Sequence, residues 1–151
     1  MADTVQFELV SPERILRSEA VEMVVVPGSE GNFGVLPGHS PLISSVRPGT
    51  IEVYSGTTVT ERIFVSGGFA EVTAERCTVL ADDAVDVTAL DRTAVEANLA
   101  MLQGSVATLR DAADKGTEAE RDATRLQLSH AERNFAIATA KLEALDSAVA
   151  R

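Results

Sequence analysis

The side chains that could carry catalysis are few and far apart in this sequence. The only histidines are His39 and His130, which lie in different halves of the chain, and the only cysteine is Cys77. No Cys-x-x-Cys or His-Glu-x-x-His pattern surrounds them, so the residues predict no metal site. Cys77 stands beside Thr78, Val79 and Leu80 without a neighbouring histidine that would favour a thiolate, and we interpret it as a buried strand residue.

Two glycine motifs approach known catalytic patterns without completing them. The stretch Gly38–Leu42 has the start of a nucleophile elbow, but its last glycine is missing and Pro41 disfavours the strand-to-helix turn. Gly28, Gly31 and Gly34 have the wrong spacing for a dinucleotide fingerprint, and no Gly-Lys-Ser/Thr follows a glycine loop. A serine hydrolase and a P-loop nucleotide enzyme are therefore not expected, and no cofactor is predicted.

The same region is either a run of hairpin turns or a stiff loop that a partner recognises. Between Gly28 and Gly49 the chain contains five glycines, which permit tight turns, and three prolines, which fix the backbone angle φ. These residues are Gly28, Gly31, Gly34, Gly38, Gly49, Pro37, Pro41 and Pro48. His39 lies on this loop, where we predict it to be a contact residue.

Composition excludes several classes of partner. The net charge is −10, and residues 1–90 hold 13 acidic against 5 basic side chains, while residues 91–151 hold 10 against 8. Nucleic acids and anionic lipids both favour clustered Lys and Arg, so neither is expected as a principal partner. No apolar run approaches the roughly 20 residues that span a bilayer, and no secretory signal begins the chain.

Two different periodicities predict two domains, 1–89 and 90–151. In the first, Val5, Phe7 and Leu9 alternate with polar residues, and turn residues recur every eight to twelve positions or so, which predicts short antiparallel strands in two packed sheets. Further predicted strands cover Thr57–Val65, Phe69–Thr73 and Cys77–Ala81.

The second domain has heptad spacing, which predicts two helices paired as an antiparallel hairpin. Thr93 with Glu96, and Thr117 with Glu120, have capping-box spacing at the two helix starts. The helices differ in length, with roughly 20 residues against about 32. The predicted hairpin seam consists of Val95, Leu99, Leu102, Val106 and Leu109 in the first helix and Leu128, Ala131, Phe135, Ala138, Leu142, Leu145 and Val149 in the second.

Several motifs together resemble the epsilon subunit of bacterial F-type ATP synthases, over essentially the whole chain. They are Gly28-Ser29-Glu30-Gly31, Gly34, Pro37-Gly38-His39, Pro41-Leu42, Pro48-Gly49, Ser66-Gly67-Gly68-Phe69-Ala70-Glu71-Val72 and Thr78-Val79-Leu80-Ala81-Asp82. The resemblance implies a ten-stranded β-sandwich followed by a helical hairpin. It also implies a subunit without catalytic residues of its own.

The function implied by this resemblance is that of a rotor part. Such a subunit forms the foot of the central stalk with the γ subunit, sits on the polar loops of the membrane c-ring, and turns with them during ATP synthesis. It lies peripherally at the cytoplasmic face of the bacterial plasma (inner) membrane. The carboxy-terminal helices of relatives also reach the α/β catalytic head in some states.

The resemblance assigns c-ring contacts to Asn32, His39, Ser40 and Pro41. Many relatives carry an acidic residue where Asn32 stands, so a charged contact is not implied at that position. In many relatives the hairpin unfolds, inserts an extended helix beside γ and blocks ATP hydrolysis; inhibition is an open hypothesis here, and the other possibility is that the hairpin is structural.

Some relatives bind ATP near the hairpin through the motif Ile or Leu, Asp, two residues, Arg, Ala. Leu90, Asp91 and Arg92 begin it here, but Ala94 and Val95 stand where Arg and Ala are required. ATP binding to the hairpin is therefore not expected.

Two readings from other classes compete with a stalk subunit. A free-standing β-sandwich interaction module could dimerise through its helical tail, which would place the seam between two chains. An enzyme is the third reading, and it lacks an identifiable pair of acid, base or nucleophile.

Overall fold

The computed structural model describes the backbone of residues 3–149 and the side chains of residues 3–148. Its internal contacts divide the chain after Ala89 into an amino-terminal β unit and a carboxy-terminal helical unit. The outermost residues of the two predicted domains, 1–2 and 150–151, and the side chain of the predicted seam residue Val149 lie outside the described part.

Ten strands form the β unit within the described residues. They are β1 (Val5–Val10), β2 (Ile15–Val21), β3 (Met23–Gly28), β4 (Gly31–Val35), β5 (Leu42–Val46), β6 (Gly49–Ser55), β7 (Thr58–Val65), β8 (Gly68–Val72), β9 (Arg76–Ala81) and β10 (Ala84–Asp86). A single turn of 3₁₀-helix, Val87–Ala89, follows β10. The predicted fold class, a ten-stranded β domain followed by two helices, is confirmed.

The strands are hydrogen-bonded in one curled mixed sheet whose parts pack on a common core, so the expectation of antiparallel pairing throughout is wrong. The hydrogen-bonded order is β10-β7-β6-β3-β5-β8-β9-β1-β2, with β4 paired to β3. β1 and β9 run parallel, and the other pairs are antiparallel. Alternation identifies which face of a strand is buried but not which strand is its neighbour, so the pattern could not predict this connectivity.

The sheet bends sharply where β5 leads into β6. Val25 of β3 pairs with Glu52 of β6, whereas Gly28 at the end of β3 pairs with Val46 of β5. The intervening residues Arg47 and Pro48 therefore turn a corner in the strand, and β3 continues alongside both parts. The bend brings two halves of the same face of the sheet over a common core.

The core is built from aliphatic side chains and Phe7 at alternate strand positions. Val5, Phe7 and Leu9 of β1 are each at most 1% exposed. The other strands add Val24, Val26, Val35, Ile51, Val65, Val72 and Val79 at similar depth. Burial of each large aliphatic side chain stabilises the fold by about 1.5–3 kcal/mol.

Cys77 belongs to this core, which confirms its interpretation as a buried strand residue. Its side chain is fully buried and has no disulfide partner. Burial raises the pKa of the Cys77 thiol to about 12. The thiol therefore stays protonated at neutral pH and is a poor nucleophile.

The helical unit contains α1 (Arg92–Ala112) and α2 (Glu118–Val149). The predicted cap of the first helix is wrong, because α1 begins earlier with Asp91 as N-cap; its carboxylate accepts a hydrogen bond from the Thr93 N–H at 3.1 Å. The cap of α2 is confirmed. Thr117 and Glu120 bond reciprocally, at 2.8 and 3.2 Å.

Gly68 lies where the backbones of β8 and β9 approach closely, so a side chain at this position tests that approach. Its φ is +143°, and a Cβ atom built there would lie 1.9 Å from the Leu80 carbonyl oxygen. Gly68→Ala is therefore expected to destabilise the β unit by about 3 kcal/mol or more, through strain and backbone displacement. Urea denaturation followed through the single tyrosine, Tyr54, measures this.

Gly56→Ala is the matched control. Gly56 also has a positive φ, +62°, but a Cβ atom added there would meet nothing within 4 Å. It is expected to lose only about 1 kcal/mol, from backbone strain. Equal losses in the two variants would contradict the steric explanation for Gly68.

Candidate partner-docking surfaces

The tip of the β3–β4 hairpin is fixed by Arg47 from the corner of the sheet. The Arg47 guanidinium donates to the Gly28 carbonyl oxygen and, at 2.5 Å, to the Asn32 side-chain oxygen. The Arg47 backbone N–H also donates to the Pro27 carbonyl oxygen at 2.9 Å. The Asn32 side chain is exposed but held, with its amide NH₂ group left to face a partner.

His39 ends a tight turn at the opposite end of β4. Its backbone N–H donates to the Leu36 carbonyl oxygen at 3.1 Å, and the Gly38 N–H donates to the Ala74 carbonyl oxygen at 2.8 Å. Gly38 has a φ of +84°, which other residues rarely adopt. The His39 Nδ1 lies 2.6 Å from the Ser40 carbonyl oxygen, so this nitrogen carries the proton and Nε2 is available to a partner.

The structure does not bring Asn32 and His39 together. The strand β4 separates them, and its rise of about 3.3 Å per residue places Asn32 roughly 13 Å from Leu36, where the His39 turn begins. Ser40 is exposed beside His39, as is Pro41. The predicted contact residues therefore form two patches on one edge, and only a broad partner could touch both.

A third surface, which sequence reasoning missed, is an apolar row on the outer face of five neighbouring strands. The registers pair Ser45 with Phe69, Phe69 with Leu80, Leu80 with Val10 and Val10 with Ile15. Phe69, Leu80 and Ile15 are 60%, 49% and 62% exposed. We call Ser45, Phe69, Leu80, Val10 and Ile15, of which four are apolar, the outer row.

The outer row is bordered by a polar row on the same face. Glu71 pairs across the strands with Thr78, and Thr78 with Glu8, which forms an ion pair with Arg76 at 3.2 Å. Ile43, opposite Glu71, is 77% exposed. Large apolar side chains in adjacent strand positions, with a polar border, are typical of a protein-docking surface.

A signal for the outer row was present in the sequence. In Gly68–Val72, the buried positions Ala70 and Val72 direct Phe69 outward, because side chains alternate between the faces of a strand. Only the register across five strands, however, shows that the outward apolar residues are adjacent.

The residues that begin the nucleotide motif have structural roles at the start of α1. Asp91 caps the helix, and Arg92 contacts Asp146 at 2.7 Å and Glu96 at 3.6 Å. The hydrogen bond to Asp146 raises the pKa of the Arg92 guanidinium above its ordinary value. Leu90 is half-buried.

The hairpin seam combines larger apolar residues on α1 with alanines on α2. On α1 the most deeply buried side chains are Val95, Leu102 and Val106, while Leu99 and Leu109 are half-buried. On α2 they are Ala131, Ala138 and Ala144, while Leu128, Phe135, Leu142 and Leu145 are half-buried. Within the described residues, neither helix has an apolar stretch that could cross a membrane.

Comparison with known proteins agrees with this architecture. A family profile described as ATP synthase, Delta/Epsilon chain, beta-sandwich domain matches residues 4–87. The ATP synthase epsilon chain of Rhodospirillum rubrum is 57% identical over 120 residues, covering 80% of this chain and 87% of the relative. That of Parvibaculum lavamentivorans is 45% identical over 130 residues, covering 86% and 94%.

A solved structure shares the fold. It is a chain of the Euglena gracilis mitochondrial ATP synthase, in an assembly of OSCP, F1 and c-ring in rotational state 1. The TM-score is 0.66 at 23% identity, and the match covers 99% of this chain and 83% of that one.

Proposed function

This chain belongs to the epsilon-chain family of bacterial ATP synthases, and from that membership we propose a non-catalytic rotor subunit that couples rotation of the c-ring to the catalytic head through γ. A place in the central stalk requires one surface for γ and another for the ring. The β unit has two separate exposed surfaces that can meet this requirement. Membership in a membrane-bound complex makes the chain a peripheral subunit at the cytoplasmic face of the plasma membrane.

The outer row is the observation that best supports docking on γ. Phe69, Leu80 and Ile15 present large apolar side chains whose burial would stabilise a complex by roughly 25 cal/mol for each Å² removed from water. Glu8 and Glu71 on the adjacent polar row suit a partner with basic residues around its apolar centre. The sheet beneath is held by backbone hydrogen bonds, so docking requires little ordering of the chain.

The edge with Asn32 and His39 is the proposed c-ring surface. Both side chains are held by hydrogen bonds, to Arg47 and to the Ser40 carbonyl group, and each retains an outward polar group. Asn32 supplies an amide donor there, and an acidic residue at the same position would instead form an ion pair with Arg47. The proposed contact of Asn32 with the ring is therefore a neutral hydrogen bond, whereas relatives with an acidic residue at this position present a charged group.

We propose that the hairpin is a structural element whose two helices stay paired, and we call this state a closed brace. Exposed ion pairs join α2 to Arg92, Arg110 and Asp114, at 2.7, 3.6 and 3.4 Å. Each exposed pair contributes little by itself, but together with the seam they must all be broken before the helices can separate. A nucleotide cannot recruit Arg92 without displacing Asp146.

The prediction for the γ surface uses Phe69→Glu. Placing a carboxylate within the outer row is expected to weaken γ binding by about 2 kcal/mol or more, a roughly thirtyfold rise in Kd. Size-exclusion chromatography with light scattering, run with and without γ, measures this binding. We expect a one-to-one complex with γ for the unmodified chain.

The control is Leu36→Glu, at a residue 54% exposed at the far end of β4 from Asn32. It should bind γ normally. If Phe69→Glu bound γ as tightly as Leu36→Glu, the outer row would not be part of the γ interface. A symmetric dimer without γ would favour the alternative, a free-standing interaction module.

The prediction for the ring surface uses His39→Asp. Its carboxylate would face the Ser40 carbonyl oxygen and present a negative charge, so we expect at least roughly tenfold less co-assembly with the membrane sector in detergent pull-down. His130→Asp, at an exposed histidine of α2, is the matched control and should assemble normally. Unchanged assembly by His39→Asp, with γ binding intact, would exclude His39 from the contact.

The prediction for the hairpin uses truncation after Ala89 within the assembled soluble complex. A brace that stays closed does not restrain catalysis, so the rate of ATP hydrolysis is expected to remain within about twofold of the full-length complex. Activation well beyond that range would instead assign an inhibitory role to the hairpin.

A further inference from the structure

The two ends of the curled sheet meet through side chains. The strands β2 and β10 terminate the hydrogen-bonded order, yet Arg17 of β2 reaches across to the other end. Its Nη2 lies 3.1 Å from the Asp86 Oδ2 on β10, and its Nε lies 3.4 Å from the Glu61 Oε1 on β7. We call Arg17, Glu19, Glu61 and Asp86 the closure cluster.

The closure cluster lies at the rim of the core. Glu19 is in register with Phe7, and Arg17 with Leu9, so both occupy core-facing positions of β2. A carboxylate at such a position is partly withdrawn from water, and Glu19 is only half-exposed. Its Oε1 atom is buried and has no hydrogen-bond partner among the described residues.

Glu19 and Glu61 line the same groove, and Arg17, two positions from Glu19 on β2, has its Nε 3.4 Å from the Glu61 Oε1. Hydrogen bonding with Glu61, the burial of Glu19 and the negative charge of Glu61 raise the pKa of Glu19 above its ordinary value, while Arg17 opposes the shift. Two ionised carboxylates can only accept hydrogen bonds, so a bond between them requires a proton on one of the pair.

We propose that one proton shared by Glu19 and Glu61 helps to hold the two ends of the sheet together, and that its loss loosens this closure. With the proton present, Arg17 faces two negative charges, one on the Glu19 and Glu61 pair and one on Asp86. Without it, a third negative charge is added to the same cluster. The fixed positive charge of one guanidinium is then opposed by three carboxylates.

The described residues that line the adjacent groove offer no further cation to balance that charge. The groove, about 380 Å³ in volume, is lined by Glu19, Glu22, Tyr54 and Glu61 among the titratable groups. The Glu22 carboxylate already accepts the Gly56 N–H at 2.6 Å. Glu22 therefore adds negative charge near the cluster and does not replace the missing proton.

The sign of the pH effect follows from the direction of the Glu19 shift. A carboxyl group whose pKa is higher in the folded than in the unfolded chain binds its proton more tightly when folded. Its stabilising effect is complete below the ordinary value of 4.5 and is lost as the pH rises through the folded pKa. The closure is consequently strongest under mildly acidic conditions.

Glu19→Gln in the full-length chain tests the proposal. The glutamine amide donates permanently to Glu61 and adds no negative charge, so the urea midpoint at pH 7 should rise. Its decrease between about pH 4.5 and pH 7 should also be smaller than in the unmodified chain. Tyr54 is the only tyrosine and lines the same groove, so its fluorescence follows this unit while no tryptophan interferes.

Glu13→Gln is the control, because it removes one negative charge at an exposed position in the β1–β2 turn. It should keep the pH dependence of the unmodified chain. If Glu19→Gln and Glu13→Gln give the same profile, the shared proton does not contribute to closure and the proposal fails.

A measurement on the unmodified chain provides a second test that does not depend on a variant folding. Side-chain ¹³C NMR should show that the Glu19 carboxyl group keeps its proton to a pH above the ordinary value of 4.5. Loss of the Glu19 proton at that ordinary value would overturn the proposal.

Discussion

The corner between β5 and β6 is the constraint on which the β unit depends. Because β3 pairs with both parts of the bent strand, one sheet encloses its own core. The backbone approaches closely there, since a Cβ at Gly49 would lie 2.9 Å from the Pro27 Cβ. Arg47 on the same corner also fixes the β3–β4 tip, so the geometry that closes the core positions the proposed ring contact.

A bent sheet also determines what its outside can present. Every strand that directs Val, Leu or Phe inward directs the alternate residue outward, and adjacent strands align those outward residues in rows. Phe69, Leu80 and Ile15 are exposed for this reason, although each is a residue type that ordinarily lies inside. The outer row thus arises from the same register that builds the core, and it can change shape only if the sheet does.

Local patterns predicted the elements of this fold, and long-range pairing accounts for what they missed. Strand positions, the burial of Cys77 and the cap at Thr117 depend on neighbours in sequence, and each was predictable. The parallel pairing of β1 with β9 and the meeting of Glu19 with Glu61 depend on how distant segments close a curled sheet. At α1, Asp91 and Thr93 both have capping side chains, so sequence alone could not choose between them.

Several charged side chains in the described part of the chain hold its segments together. Arg47 holds a hairpin tip, Asp91 caps a helix, Arg92 joins two helices, and Arg17 joins the ends of a sheet. A group already satisfied by such bonds would have to break them before it could accept a substrate. The same bonds suit a part that transmits rotation, because they resist displacement of the tip, the helices and the sheet edges under load. Stiffness is the property that these polar residues provide.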